Sequence, residues 1–458
     1  MTMLMRIAIL ASIFAVLCTV TIGAQAPPLV PPLSLVQPEG QASPPMVVTL
    51  QDALARAKMN DAQFQTSAAD ALVAKEDRVQ AKAAILPAFS FTTQYLGTQG
   101  DTPLKTGRFV SNDGVDMYRS WLVAHQAISP NMLTPYRRAQ AAEALAQARL
   151  EIATRGLAVT VTQRYYGLIT AERKYSASQV ATQQAQRFLD FAQQQQQLGQ
   201  VARSDVVKAE IQFQQQQQIY RESALQMANA RLQLAVLLFP TLTQNFTVVD
   251  DLTAVPALPS FPDARTMAER GNPDLRAAGE ALRVAQQDVT GAKNAFLPTI
   301  LIDADYGIEA NEFALHGIVS AQPELGVVPN LGYFVTVNLS VPVWNWGALR
   351  SKLRQSQTRE TQAQVALSQT QRQLLSNLYS IYNEAVAARS AVDSSQRVSE
   401  LAAESLRLTV LRYQAGESTA LEVVDAQNTL VTARDGYDAA LARYRVALAS
   451  LQTVTGTF

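Results

Sequence analysis

Residues 411–456, LRYQAGESTALEVVDAQNTLVTARDGYDAALARYRVALASLQTVTG, decide the fold of this chain. Gly416 predicts a turn between two helical segments, because glycine adopts the positive φ that ends a helix at little cost. Ser418 or Thr419 can then cap the second helix. Glu422 and Asp425 fall in or near its first turn, where the helix dipole favours acids. The stretch therefore predicts a helix–turn–helix hairpin.

The second helical segment carries a regular stripe of apolar and small residues. They recur at alternating steps of three and four: Val423, Ala426, Leu430, Ala433, Tyr437, Ala440, Tyr444, Ala447 and Leu451. A heptad stripe of this kind predicts a helix packed along another helix. Alanine occupies every second position, which predicts a close approach of the two backbones.

The same design occurs earlier in the chain. Gly199 matches Gly416 at a distance of 217 residues, or 31 heptads, and it is followed by the stripe Val206, Ala209, Phe213, Gln216, Tyr220, Ser223, Met227, Ala230 and Leu234. Upstream, AILPAFSFTTQYLG (84–97) resembles AFLPTILIDADYGI (295–308). We infer an internal duplication, with a first repeat at 49–245, a linker at 246–262 and a second repeat at 263–458.

The order of these motifs resembles that of the TolC-like outer membrane efflux proteins. The shared features are a Tyr-x-x-Gly turn at 413–416, an acidic Glu-Val-x-Asp-Ala-Gln motif at 422–427 and a long helix ending Leu-x-x-x-x-Gly at 451–456. A Leu-Pro before each strand segment and LSVPVWNWGALRSKLRQSQ (339–357) complete the pattern. The resemblance extends over residues 49–456, in both halves.

The net charge indicates which partners are disfavoured for this chain, and its N-terminal residues indicate export. The 458 residues carry a net charge of 0, which argues against a nucleic-acid partner because phosphate binding needs a basic surface. Residues 1–24 predict a secretory signal peptide, with cleavage after Ala24 or Ala26. The cysteine Cys18 follows Val16 and Leu17 instead of the small residue that precedes a lipidated cysteine. Residues 25–48 form a proline-rich leader that wraps the surface or stays disordered.

Alternating residues predict β-strands after each Leu-Pro. In 300–308 the even positions are apolar, whereas Asp303 and Asp305 share the opposite face, as in a barrel with lipid outside and water inside. Segments 84–97, 121–128 and 333–343 repeat the pattern, although matching the repeats assigns His125 to the outward face. Loops at 97–119 and 309–332 join the strands in pairs at the outer surface. Alternation alone also fits a soluble sandwich.

Helices account for most of the remainder. Residues 49–84 and 266–295 are alanine-rich with helical spacing, and each segment stops at a Leu-Pro. Two very long helices are predicted at about 134–198 and 348–415, each on the order of 100 Å long at ~1.5 Å per residue. The glutamine runs 193–197 and 214–218 lie within these helical stripes and are interpreted as solvated faces of coiled coils. The fold class is mainly α with a small β part.

Four strands cannot close a barrel, and eight leave an interior filled by side chains. The resemblance implies a homotrimer with a shared 12-strand barrel in the outer membrane, in contact with its lipid, continued by a periplasmic tunnel of paired helices. It implies the exit duct of a tripartite efflux or type I secretion system, which an adaptor and an inner-membrane pump open. No catalytic constellation or cofactor motif is present. A periplasmic coiled-coil scaffold or adaptor is the alternative.

The resemblance also assigns roles to individual residues. It implies a periplasmic entrance gate, a latch near the helix tips, tips that dock the adaptor, and a polar lumen. The gate comprises Glu422 and Asp425; the latch comprises Asp205, Tyr413 and Ser418; the tips comprise Gly199, Val201, Gly416 and Thr419; and the lumen includes Asp303 and Asp305. Ser418 stands where the family pattern has arginine, so a salt bridge from Asp205 to this position is not available.

Overall fold

The computed structural model of the chain describes residues 45–98, 115–242, 245–310, 313–318 and 323–457. The signal peptide, Cys18, residues 25–44 of the leader and residues 99–114 of the first predicted loop lie outside this part. In the first half the elements are β1 (Met46–Val48), α1 (Leu50–Asn60), α2 (Ala62–Ala83), β2 (Ala88–Thr98), β3 (Val115–Ile128), α3 (Thr134–Gln197), α4 (Arg203–Leu238) and β4 (Phe246–Val248).

The second half repeats the order from α1 to α4, with an addition between its two long strands. Its elements are α5 (Phe261–Gly271), α6 (Pro273–Asn294), β5 (Thr299–Ala310), β6 (His316–Ile318), β7 (Val327–Pro329), β8 (Leu331–Ser340), α7 (Ala348–Gln414) and α8 (Ala420–Thr455). The addition is a small antiparallel ladder of β6 and β7 within the predicted loop 309–332. Within the described residues, none of the helices has both the length and the apolar character needed to cross a membrane.

The long helices confirm the heptad prediction. Helix α3 has 64 residues and α7 has 67, and each turns back at its predicted glycine into a 36-residue partner. On α8 every member of the predicted stripe is buried except Tyr437, which is partly buried. On α4 the stripe is buried or partly buried throughout, and most glutamines of the two runs are exposed on helices. The alternating spacing of three and four therefore predicted both the elements and their buried faces.

The alanine-rich segments are helical but not continuous. Asp61 separates α1 from α2, and Asn272 separates α5 from α6, each in an extended conformation. Each side chain accepts a hydrogen bond from the backbone three residues on, at Phe64 and Leu275 respectively, and so caps the second helix. The second copy also begins at Phe261, earlier than the predicted Thr266.

The predicted linker 246–262 belongs to the core. Its strand β4 pairs in parallel with β1, so the end of the leader is tied to the junction between the halves. Phe246 and Leu252 are buried against α3 and α8. Tyr165 donates a hydrogen bond to Val249 O at 2.8 Å, and Tyr444 donates one to Pro256 O at 2.6 Å. Burial raises the pKa of Tyr165 to about 12, so its hydroxyl remains a donor at physiological pH.

A single sheet in the order β2-β3-β5-β8 joins the two halves. All three pairings are antiparallel, and β3 pairs with β5 over Tyr118–Ile128 and Ile300–Ala310. One face is apolar and largely exposed: its large side chains include Phe89, Phe91, Tyr95, Leu122, Tyr306, Tyr333, Val335, Val337 and Leu339. The opposite face carries most of the polar residues. The sheet therefore has the two-faced character that the alternation predicted.

The register corrects the placement of His125. Its Cα partner is Asp303, and directly paired residues of an antiparallel sheet point to the same face. His125 Nδ1 lies 2.5 Å from Asp303 Oδ1, on the polar face. The expectation of an outward His125 was wrong because it rested on matching the repeats instead of on strand pairing.

The close packing of the chain's last helix on α5 leads to a stability prediction. Arg155 donates hydrogen bonds to Gly271 O at 3.2 Å and Thr453 O at 3.0 Å, and a Cβ at position 271 would lie 2.9 Å from Thr455 O. We expect Gly271→Ala to destabilise the protein by about 1–3 kcal/mol through overpacking. The readout is the temperature at which the helical circular dichroism signal is half lost.

Gly279→Ala is the matched control. Gly279 lies within α6, and no atom would be within 4 Å of an added Cβ. Alanine should stabilise this helix by about 0.8–1 kcal/mol relative to glycine. Equal shifts in the two variants would contradict the proposed close packing at Gly271.

Candidate functional site

The two helix tips share one backbone device. Gly199 has φ +73° and Gly416 has φ +78°, and nothing lies within 4 Å of the place where either Cβ would be. The glycines are therefore required for the left-handed turn and not for a close approach. Val201 is half-buried in the first tip, whereas Leu198 is exposed beside it.

Thr419 is the cap residue of α8. Its hydroxyl accepts a hydrogen bond from Glu422 N at 3.4 Å, and Glu422 Oε1 accepts one from Thr419 N at 3.2 Å. This reciprocal capping box satisfies backbone groups that the first helical turn leaves unpaired. Ser418 does not act as the cap, because its hydroxyl donates to Thr409 O at 3.4 Å.

The predicted gate acids both lie on the exposed surface of α8, one turn apart. Besides its role in the cap, Glu422 Oε2 lies 3.7 Å from Arg412 Nη1, near the end of α7. Arg412 also donates a hydrogen bond to Glu417 O. The acids at this tip are thus accompanied by a cation, which the sequence pattern did not indicate.

The latch residues come together only in part. Tyr413 packs against Phe188 and Phe191 of α3, with ring centroids 5.4 and 6.1 Å apart, and so joins the two helical hairpins. Burial, and to a lesser extent the charge of Asp205, raise the pKa of Tyr413. The Tyr413 hydroxyl is buried without a hydrogen-bond partner in the described residues. Asp205 pairs instead with Lys208, at 3.8 Å.

A second contact between the hairpins was not anticipated. Gln212 and Gln216 are buried on α4, and their Nε2 atoms donate to Asn428 Oδ1 of α8 at 2.9 and 3.3 Å. Asn428 is exposed, so the layer is partly buried, and polar contacts of this type fix the register of packed helices. A polar residue at a stripe position, as at Gln216, was the available signal.

Ion pairs and aromatic contacts line the polar face of the sheet. Arg119 pairs with Glu309 at 2.9 Å and lies over the ring of Trp121. Trp121 packs edge-on against Phe334 across the neighbouring strand. Gly307 makes room for Trp121, since a Cβ added at position 307 would lie 2.8 Å from the Cα of Trp121. Asp303 pairs with His125, and Asp305 is buried in the same face.

The described residues contain no group of three or more histidine, cysteine, aspartate or glutamate side chains that could hold a metal ion. The features described above that could serve a function are the two helix tips and the two-faced sheet. Such an arrangement suits the passage of solutes along a polar surface.

Comparisons with known proteins agree with this geometry. Residues 265–457 match the family "Outer membrane efflux protein". The alkaline protease secretion protein AprF of Pseudomonas aeruginosa is 22% identical over 407 residues, which cover 87% of this chain and 82% of AprF. The outer membrane protein TolC of Vibrio cholerae is 23% identical, over 88% of this chain and 89% of the relative.

Solved structures share the fold. The outer-membrane channel OprN superposes with a TM-score of 0.74 at 18% identity, over 89% of this chain and 90% of OprN. The family match to residues 265–457 and the relatives that align along most of the chain show that it is similar to the TolC-like outer membrane efflux proteins, and the solved structures show that it shares their fold.

Proposed function

We propose that this chain is the passive exit duct of a tripartite efflux or type I secretion system. The protein is an outer membrane efflux channel with a large periplasmic portion. In the proposed assembly, three chains share one barrel, and their helical hairpins form a tunnel below it. A periplasmic adaptor and an inner-membrane pump dock on the closed tips and open them.

The observation that carries the proposal is the sheet with one apolar face and one polar face. Its edge strands β2 and β8 have no further partner among the described strands. An exposed apolar face and two open edges are an aggregation hazard in water, and both are removed by lipid and by closure with other copies. Three chains of four strands supply twelve, enough for a duct, whereas two chains would supply eight and a filled interior.

A periplasmic scaffold or adaptor is the alternative. It would have to shield the exposed side chains of the apolar face from water by other means. Nothing in the helical hairpins requires such a face, so the sheet favours the channel. The polar contacts on its other face, Arg119 with Glu309 and His125 with Asp303, suit a hydrated lumen.

The proposal predicts a trimer that closes through the two edge strands. Without Cys18 of the predicted signal peptide the mature chain has no cysteine, so cysteines can be introduced singly or in pairs. We expect pairs scanned along β2 and β8 to crosslink chains into dimers and trimers on a denaturing gel. The mass of the protein in detergent should be three times that of the mature chain.

Ala124→Cys with Ala304→Cys is the matched control. These residues are direct partners on the central strands β3 and β5, so their disulfide should form within one chain. Crosslinks that stop at dimers, or a well-folded monomer that needs no detergent, would contradict the trimeric barrel.

Within this assembly, Glu422 and Asp425 form the proposed entrance gate, and the turns around Gly199, Val201, Gly416 and Thr419 form the docking tips. Asp303 and Asp305 line the proposed lumen. We propose that the closed state is held by the ring packing of Tyr413 and by the amide layer of Gln212, Gln216 and Asn428. Both contacts join one hairpin to the other, which supports a role in holding the tips together.

A further inference from the structure

The segment between β8 and α7, VPVWNWG at 341–347, carries an exposed aromatic pair. Trp344 is 74% exposed and Trp346 is 89% exposed, and their rings meet edge to face at a centroid distance of 5.7 Å. A contiguous exposed apolar patch marks an interaction or membrane site. Among the described rings, Trp344 is the one that Trp346 contacts.

The backbone at this pair is strained. Trp346 has φ +54°, the single positive value at a non-glycine residue in the described part of the chain, and Gly347 follows with φ +82°. The turn closes with a hydrogen bond from Ala348 N to Asn345 O at 3.0 Å. Two left-handed residues in a turn favour glycine or asparagine, and a bulky aromatic residue there is an outlier. Backbone strain of this kind is typical of binding and active sites, which points to a partner at this turn.

The apolar face of the sheet continues into the segment that carries the pair, as far as Val343 next to Trp344. Tyr333, Val335, Val337 and Leu339 share that face on β8, and Val341 and Val343 continue the same alternation past the last paired residue, Ser340. Leu297 and Leu86, just before β5 and β2, are also exposed at this end of the sheet. The apolar band therefore extends beyond the hydrogen-bonded strands.

The length of β8 places this segment at the boundary between the hydrocarbon layer and the headgroups of the membrane. A tilted strand needs about 9–11 residues to cross the hydrocarbon layer. Strand β8 has 10 residues, so the residues that follow it lie at the level of the headgroups on the side of the helices. Tryptophan is suited to that level, because its ring is apolar while its N–H needs a polar partner.

The first turns of α7 add positive charge. Arg350, Lys352 and Arg354 are exposed, and none of them takes part in the ion pairs of the described residues. Helix α7 begins without a side-chain cap and without an acid in its first turn. Cations oppose the dipole at a helix start, so an external anion would offset this cost. Basic residues close to a bilayer are attracted to anionic headgroups.

From these observations we propose that Trp344 and Trp346, with Arg350, Lys352 and Arg354, bind anionic phospholipid headgroups in the periplasmic leaflet of the outer membrane. The site rests on the proposed function, since it requires the sheet to be part of a membrane barrel. The rings anchor the end of β8 at the interface, and the cations of α7 contact the phosphates.

The chain has three tryptophans, which allows a direct test. Trp121→Phe leaves Trp344 and Trp346. The trimer is reconstituted in phosphatidylethanolamine vesicles with or without phosphatidylglycerol, each carrying a quencher either near the headgroup or at the end of the acyl chain. We expect fluorescence to be quenched by the shallow probe, less by the deep one, and more strongly when phosphatidylglycerol is present. Should Trp121→Phe fail to fold, the fluorescence of Trp344 and Trp346 is obtained by subtraction. The signal of the double variant Trp344→Phe with Trp346→Phe is subtracted from that of the wild type.

Three further variants sharpen the result. Trp344→Phe with Trp346→Phe leaves Trp121 on the polar face, and lipid quenching should be lost at both depths. Replacing Arg350, Lys352 and Arg354 by glutamine should abolish the phosphatidylglycerol dependence. The same change at Arg359, Arg372 and Arg397, which are exposed farther along α7, removes equal charge and should leave that dependence intact.

Other outcomes would overturn the site. Quenching of the pair by aqueous acrylamide alone would place it in water, and protection from both acrylamide and lipid probes would mean that a neighbouring copy covers it. Equal quenching in vesicles with and without phosphatidylglycerol would contradict the role of the cations. Vesicle flotation and trimer mass report separately on the barrel, so its failure is distinguishable from failure of this site.

Discussion

Replacing Val201 with arginine is expected to abolish export while trimers remain in the membrane. Val201 is half-buried in the turn that follows Gly199, beside the exposed Leu198, so the long charged side chain would occupy the surface proposed to meet the adaptor. Burying an unpaired charge in an interface costs several kcal/mol, enough to prevent docking. The measurement is export of a substrate of the cognate system, alongside trimer content of outer membrane fractions.

The second tip needs a different variant. Thr419 caps α8, so a large cation there would remove the cap, worth about 1 kcal/mol, as well as block docking. Thr419→Asp adds charge and keeps a capping oxygen, and we expect it to abolish export too. Val201→Ala and Thr419→Ser add neither bulk nor charge and should export normally. Unchanged export in both charged variants would contradict the proposal that the adaptor docks at the tips.

Removing the gate acids is expected to reduce the cation preference of single channels in planar bilayers. Three copies of Glu422 and Asp425 would place six carboxylates around one axis. A unit charge at ~4 Å in water contributes about 1 kcal/mol, or roughly a fivefold preference for a cation. Glu422→Ala with Asp425→Ala should therefore weaken cation selectivity, together with block by multivalent cations added on the periplasmic side.

A variant at Arg412 is a control that should change the cation selectivity in the opposite direction. It lies 3.7 Å from Glu422 and offsets part of the negative charge at the tip. Arg412→Gln should increase the cation preference, and Asp425→Asn alone should reduce it more than Glu422→Gln alone, because Glu422 already has a cationic neighbour. If selectivity and block are the same in all these variants, the constriction lies elsewhere in the tunnel.

The sequence was most informative where packing imposes a period. The stripe from Val423 to Leu451 could be predicted because each turn of a coiled coil repeats the same contact, and the turn glycines because positive φ restricts the choice of residue. Strand faces followed from alternation. His125 was misplaced because its neighbour depends on strand register, which similarity between repeats does not determine.

Other features have no periodic signal. Phe246 and Leu252 are core residues in a proline-containing segment, and their burial depends on β1, which lies about 200 residues earlier. The amide layer between α4 and α8 depends on the relative register of two helices far apart in sequence. Arg412 meets Glu422 only because the turn has a particular geometry. Asn272 before Pro273 was a readable helix boundary, and the continuous helical prediction overlooked it.

The pairing of β1 with β4 has a consequence for the order of biogenesis. With the predicted signal peptide, Met46 lies near the start of the exported chain, yet its partner Phe246 follows only after residues 49–245 have been translocated. Contacts between residues so distant in sequence form late in folding. Strand β1 must therefore stay unpaired during secretion until residues 246–248 have been translocated, and the first half cannot complete its own fold before β4 emerges.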